Sequence, residues 1–184
     1  MFMIKGLIVS ACFLILLGCS TSPSIYNQQH LAEINTELAI LDLNQQHPEN
    51  AKIHLLEAAN LAPNDALVLT GEGFYDFKIN ELNEAAHFYQ QALNVAPNNP
   101  EIENDYGVFL YQTHQAQQAL PYFLKAAHNP MNLYAANAFQ NAALAEQALG
   151  DSIDARQNFK EAQLLSPGDN GADGERLNWS DVPH

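Results

Sequence analysis

Four alanines recur along this chain at nearly constant spacing: Ala51, Ala85, Ala119 and Ala155, separated by 34, 34 and 36 residues. Other positions keep the same register. Four residues after each alanine stands a large apolar residue (Leu55, Tyr89, Phe123, Phe159), and seven after it a second alanine (Ala58, Ala92, Ala126, Ala162). Twelve before it stands a small residue (Ala39, Gly73, Gly107, Ala143). Prolines follow twelve residues after the alanine at Pro63, Pro97 and Pro167, and one place early at Pro130. A period of this length marks a unit that cannot bury its apolar face alone and stacks on its neighbours to do so.

Each residue type has a physical reason. The small residue and the first alanine let two helices of one unit approach closely, and the large residue fills the gap between them. The second alanine admits the first helix of the next unit. Proline ends the second helix because it cannot continue the hydrogen-bond ladder. The pattern predicts first helices at about 31–46, 64–78, 98–113 and 132–149, and second helices at about 49–61, 81–94, 116–128 and 152–165. His47-Pro48, Pro63-Asn64, Pro97-Asn98-Asn99-Pro100, Asn129-Pro130 and Gly150-Asp151 separate them. No stretch reads as strand. Pro121 falls inside a second helix, where the first turn would tolerate it.

This arrangement resembles the tetratricopeptide repeat over residues 31–167. The resemblance implies an all-α superhelix of about four helix-turn-helix units. The units depart from that family late in the first helix, where the usual aromatic is replaced by Asp42, Asp76, Leu110 and Glu146. Residues 168–184 are rich in Gly and Asp and read as a flexible tail. Within it Leu177, Trp179 and Val182 are the apolar anchors, and Trp179 is expected to dock on protein.

The amino terminus has a different character. Lys5 precedes an apolar stretch from residue 7 to 17, too short for the roughly 20 residues of a spanning helix. That layout is a signal peptide over residues 1–18. Leu16-Leu17-Gly18-Cys19 resembles the bacterial lipobox, which implies a diacylglycerol/acyl lipid on Cys19 and a tether over residues 19–30. The only other cysteine, Cys12, leaves with the signal, so the mature chain has no disulfide. Ser20 after the cysteine implies, by resemblance to bacterial sorting rules, the periplasmic face of the outer membrane. The formal charge is −14, with 21 acidic and 7 basic residues. Such a balance argues against nucleic acid and against electrostatic attraction to anionic lipid, which leaves the lipid on Cys19 as the membrane anchor.

No catalytic constellation is visible, so the chain reads as a binding scaffold and not an enzyme. The seven histidines are scattered and no pair has His-x-x-x-His spacing, so no metal site and no cofactor beyond the acyl lipid is expected. In the repeat family the first helices line a concave groove. Carried over position by position, that rule points to Ile40 and Leu43 in the first unit. It points to Leu67, Thr70, Phe74 and Phe77 in the second, to Asn104, Val108 and Tyr111 in the third, and to Gln140 and Leu144 in the fourth. Aromatics in a desolvated groove are typical protein-binding anchors.

The third unit adds a closer likeness. Asn104-Asp105-Tyr106-Gly107-Val108-Phe109-Leu110 is similar to a stretch of the lipidated type IV pilus biogenesis proteins PilF and PilW, as are Asn129-Pro130 and Gln140-Asn141-Ala142. The resemblance implies a secretin pilotin, a lipoprotein that helps a secretin reach and assemble in the outer membrane. Its expected partner is a secretin or another pilus-assembly component. Fewer repeats are readable here than in those proteins. The alternative is a periplasmic repeat adaptor for cell-wall enzymes or another envelope complex.

Overall fold

A computed structural model describes residues 25–166. They form eight helices and, among the described residues, no strand: α1 (Ile25–Asn44), α2 (Pro48–Leu61), α3 (Ala66–Lys78), α4 (Leu82–Val95), α5 (Pro100–Gln112), α6 (Ala116–Ala127), α7 (Ala135–Ala148) and α8 (Ser152–Leu165). The helices pair as α1/α2, α3/α4, α5/α6 and α7/α8, and each pair stacks on the next. The signal segment, Cys19 and Trp179 lie outside the described residues.

Helix α1 begins at Ile25, six residues before the expected start, so helix takes up the second half of the expected tether. The other boundaries fall within three residues of the sequence pattern.

The turns inside the pairs share one geometry. Gln46, Asn80, His114 and Gly150 all have positive φ (64, 68, 62 and 86°), five residues before each marker alanine. The next residue donates its N–H back to a carbonyl in the last turn: His47 to Asp42 and Glu81 to Asp76 at 2.8 Å, Gln115 to Leu110 at 2.8 Å, and Asp151 to Glu146 at 2.9 Å. This closure stops each first helix with the left-handed residue that satisfies its orphan carbonyls. Between pairs, side chains open the next helix. Asp65 accepts from the N–H groups of Leu67 and Val68, and Asn99 from those of Glu101 and Ile102.

The marker residues occupy the interior. The paired alanines of α2, α4, α6 and α8 are buried, as are Leu55, Tyr89 and Phe123 between the helices of their pairs. Gly107 shows how tight the approach is, since a Cβ there would lie 2.6 Å from the ring of Phe123. Among the described residues Thr36, Thr70, Glu103 and Glu146 break the apolar pattern of the interior. Glu103 on α5 is fully buried, and Oε1 lies 2.5 Å from Lys125 Nζ on α6.

Pro121 corrects an expectation. Helix α6 starts at Ala116, so Pro121 is its sixth residue and lies beyond the first turn. Pro121 is exposed, and the residue whose carbonyl it leaves without an N–H donor, Gln117, is also exposed. The unpaired carbonyl therefore lies where solvent can satisfy it, and the helix continues through Pro121.

Candidate binding cleft

The first helices present a cleft of about 280 Å³. Ile40 and Asn44 of α1 form one wall, and Thr70, Phe74, Phe77 and Lys78 of α3 form the middle. Asp105, Val108, Phe109 and Gln112 of α5 form the far wall, with Tyr89 of α4 beneath. The floor is aromatic. Phe77 meets Phe109 edge-on with centroids 5.6 Å apart, and Phe109 lies 5.5 Å from Tyr89. Lys78 Nζ stands 5.0 Å from the centre of the Phe74 ring, a cation–π contact at the rim. Thr70 turns its hydroxyl away, donating to the Ala66 carbonyl at 2.8 Å, so it presents its apolar side.

A second, polar cavity of about 320 Å³ adjoins it, lined by Pro100, Glu101, Asn104, Asp105, Asn132, Tyr134 and Asn137. The two extra residues of the third interval fall in the loop that supplies Asn132 and Tyr134. Asn129 and Asn132 brace that loop. Asn129 Nδ2 donates to the Asn98 carbonyl at 3.0 Å, and Asn132 Nδ2 to the Ala126 carbonyl at 2.8 Å.

Asp105 borders both cavities. Its carboxylate reaches solvent, yet protein on the concave side removes much of its hydration. Desolvation pushes it up to about 6, the Asn104 amide opposes the shift, and Glu101 adds to it. Desolvation also pushes the Tyr89 phenol up, with the Asp105 charge adding to the effect. The cleft therefore offers an apolar floor, amides at its edge (Asn44, Gln112) and a carboxyl that changes charge near pH 6. It suits a segment with apolar side chains and a hydrogen-bonding backbone.

The residues expected in the groove separate into three sets. Ile40, Thr70, Phe74, Phe77 and Val108 line the cleft. Asn104 lines the polar cavity, and its Oδ1 accepts from Asn141 Nδ2 at 2.8 Å, tying α5 to α7. The rest lie elsewhere. Leu43 is buried with Ala39, Ala51 and Leu55, because the α1 turn directs it into the α1–α2–α3 junction. Tyr111 packs against the core around Tyr89 and Phe123. Leu67, Gln140 and Leu144 line neither cavity. Sequence reasoning missed Asn44, Lys78 and Gln112, although each stands five residues after its unit's small residue, a register the sequence displays. Among the described residues no cluster of three His, Cys, Asp or Glu could hold a metal ion, and no helix is long and apolar enough to cross a membrane.

No family model matches the chain. An uncharacterized protein of Haemophilus influenzae is 31% identical over 137 residues, covering 74% of this chain and 73% of the relative, so the two belong to one family. Among solved structures, PilF of Pseudomonas aeruginosa superposes with a TM-score of 0.71 at 21% identity over 76% of this chain. PilW, a widely conserved type IV pilus biogenesis factor, gives 0.68 at 23% identity over 74%. MamA of Desulfovibrio magneticus gives 0.59 at 21% identity, covering 74% of this chain and 76% of MamA. The chain is a tetratricopeptide-repeat protein resembling PilF and PilW. At these identities the likeness establishes the fold. The repeat chain spans 63% of the length of PilF and 62% of that of PilW.

Proposed function

We propose that this repeat protein is a lipid-anchored scaffold of type IV pilus biogenesis, held by Cys19 at the periplasmic face of the outer membrane. Its cleft would engage a segment of a secretin or another pilus-assembly component in the manner of a pilotin. The observation that carries the reading is the double likeness of α5. The stretch from Asn104 to Leu110 that is similar to the pilus lipoproteins in sequence also supplies Asp105, Val108 and Phe109 to the cleft. The solenoid around it superposes on PilF and PilW. The chemistry of the cleft accords with this role, since apolar anchors surrounded by amides suit a peptide segment.

Deletion of the gene tests the proposal. Surface pili should disappear and secretin should remain as inner-membrane monomers. Normal secretin multimers in the deletion strain would refute it. Recovery of cell-wall hydrolases in place of secretin on the purified protein would favour the adaptor alternative.

A further inference from the structure

The polar cavity beside the cleft is lined by two carboxylates, Glu101 and Asp105, and by no Lys, Arg or His. Its amides are largely spent on the fold. Asn132 Oδ1 accepts from the Tyr134 N–H at 2.8 Å while its Nδ2 holds the Ala126 carbonyl. Asn104 accepts from Asn141 at 2.8 Å and hydrogen-bonds Asp105. These bonds fix the walls. Of the groups that remain, the two carboxylates carry charge, and neither joins an ion pair among the described residues. They stand four residues apart on α5, a spacing that brings side chains to about 5–6 Å at Cβ and sets like charges against each other.

Charge and size define what such a cavity accepts. Its volume of about 320 Å³ leaves room for a long side chain, against roughly 30 Å³ for one water. Lost hydration raises the Asp105 carboxyl and Glu101 raises it further, and a cation in the cavity supplies the counter-charge that water no longer gives. The planar fork of a guanidinium can bond both carboxylates at once, and Tyr134 offers a ring for it to lie against. A metal ion fits less well, since among the described residues no group of three His, Cys, Asp or Glu could hold one. Lys78, across the cleft, is held over the Phe74 ring and makes no ion pair with Asp105.

We propose that this cavity is a subsite for the side chain of a basic residue, arginine above lysine, carried by the same peptide segment whose apolar side chains occupy the adjoining cleft. Asp105 borders both cavities, so the two kinds of side chain lie close together on the segment. Glu101 and Asp105 accept charge-assisted hydrogen bonds from the incoming cation. The two extra residues of the third repeat interval then have a role, because the loop that contains them supplies Asn132 and Tyr134 to the wall. The inference rests on the cleft being a peptide site and adds the charge that the peptide must carry.

The test uses the full chain and two synthetic peptides. One is N-acetyl-Arg-Phe-Leu-Phe-Arg-amide, with arginine at both ends so that either direction of binding serves. Its twin has citrulline for arginine, which keeps the shape and removes the charge. Calorimetry should show the arginine peptide binding at least about tenfold more tightly, and NMR should show it shifting the side-chain amide of Asn137. The Asp105→Asn, Glu101→Gln double variant should abolish the advantage, with circular dichroism showing it folded. Glu57→Gln, which neutralises an exposed acid on α2, should leave the advantage intact. Equal binding of the two peptides, binding of neither, an advantage that survives the double variant, or one that Glu57→Gln also removes would overturn the proposal. So would displacement of the arginine peptide by calcium at equal concentration. Failure of the cleft reading looks different: Phe74→Ala would then leave the affinity of both peptides unchanged while arginine kept its advantage, and the subsite would stand.

Discussion

Lys125→Met should destabilise the solenoid more than its surface position suggests. Lys125 is half exposed, with 54% of its side chain accessible, but the carboxylate it neutralises is wholly buried. Glu103 stands four residues before Gly107, where the flanking units place Leu69 and Phe139 in apolar clusters. Methionine keeps the stem of the lysine and removes only the charge, leaving a buried carboxylate without its counter-ion. Breaking a buried pair by removing one partner costs about 3–5 kcal/mol. The lysine is partly hydrated, so the low end, about 3 kcal/mol, applies. Restoring the apolar pattern with Glu103→Leu in the same chain should bring stability back to within about 1 kcal/mol of the parent or above it, because no charge is then left buried. Urea unfolding followed by far-UV circular dichroism measures both changes. A loss of about 3 kcal/mol lowers the midpoint by about 1.5 M for a domain of this size. The double-mutant cycle then isolates the coupling. A midpoint unmoved by Lys125→Met, or a double variant as unstable as the single one, would refute the reasoning.

Other consequences are as direct. Gly107→Ala should cost about 1–3 kcal/mol in the same unfolding assay, because the new methyl meets the buried Phe123 ring and the helix-propensity gain is smaller. Gly150→Ala should lose about 1 kcal/mol and His114→Gly should gain about 0.5 kcal/mol, since both positions hold positive φ and only glycine adopts it freely. Folded Asp105 holds its proton more tightly than the unfolded chain does. Its stabilising contribution is therefore complete below the ordinary carboxylate range near 4 and is lost as pH rises through about 6. Asp105→Asn should melt higher than the parent at pH 7, and the advantage should shrink in thermal melts taken down to pH 4.

The repeat register made the helix pairs legible because it records contacts made four times over. Small residues mark where helices approach, and large ones mark the gaps they fill. Where no contact repeats, the sequence is silent. The first six residues of α1 carry no apolar periodicity that would distinguish helix from tether. Pro121 misled because proline has a fixed meaning at a helix start, whereas an exposed Pro121 beside an exposed Gln117 costs little farther in. The cleft was half legible. Family register located Phe74, Phe77 and Val108, but register specifies a helix face and not how far the neighbouring helix covers it. Leu43 and Tyr111 hold groove positions and are taken up by packing. Asp105 is part of the stretch that resembles the pilus proteins but holds no groove position in the family register, because its place comes from two cavities meeting at one side chain, a property of the stack and not of any single unit.

We propose that the cleft on the first helices is the working surface of a pilus-assembly scaffold. Complementation of the deletion strain with the Phe74→Asp, Phe77→Asp chain tests it most directly. Secretin multimers and surface pili should return with the parent chain. With the variant they should fail to return, although it accumulates to the same level in the same membrane fraction and keeps its helical spectrum. Full restoration of both by the variant would contradict that role for the cleft.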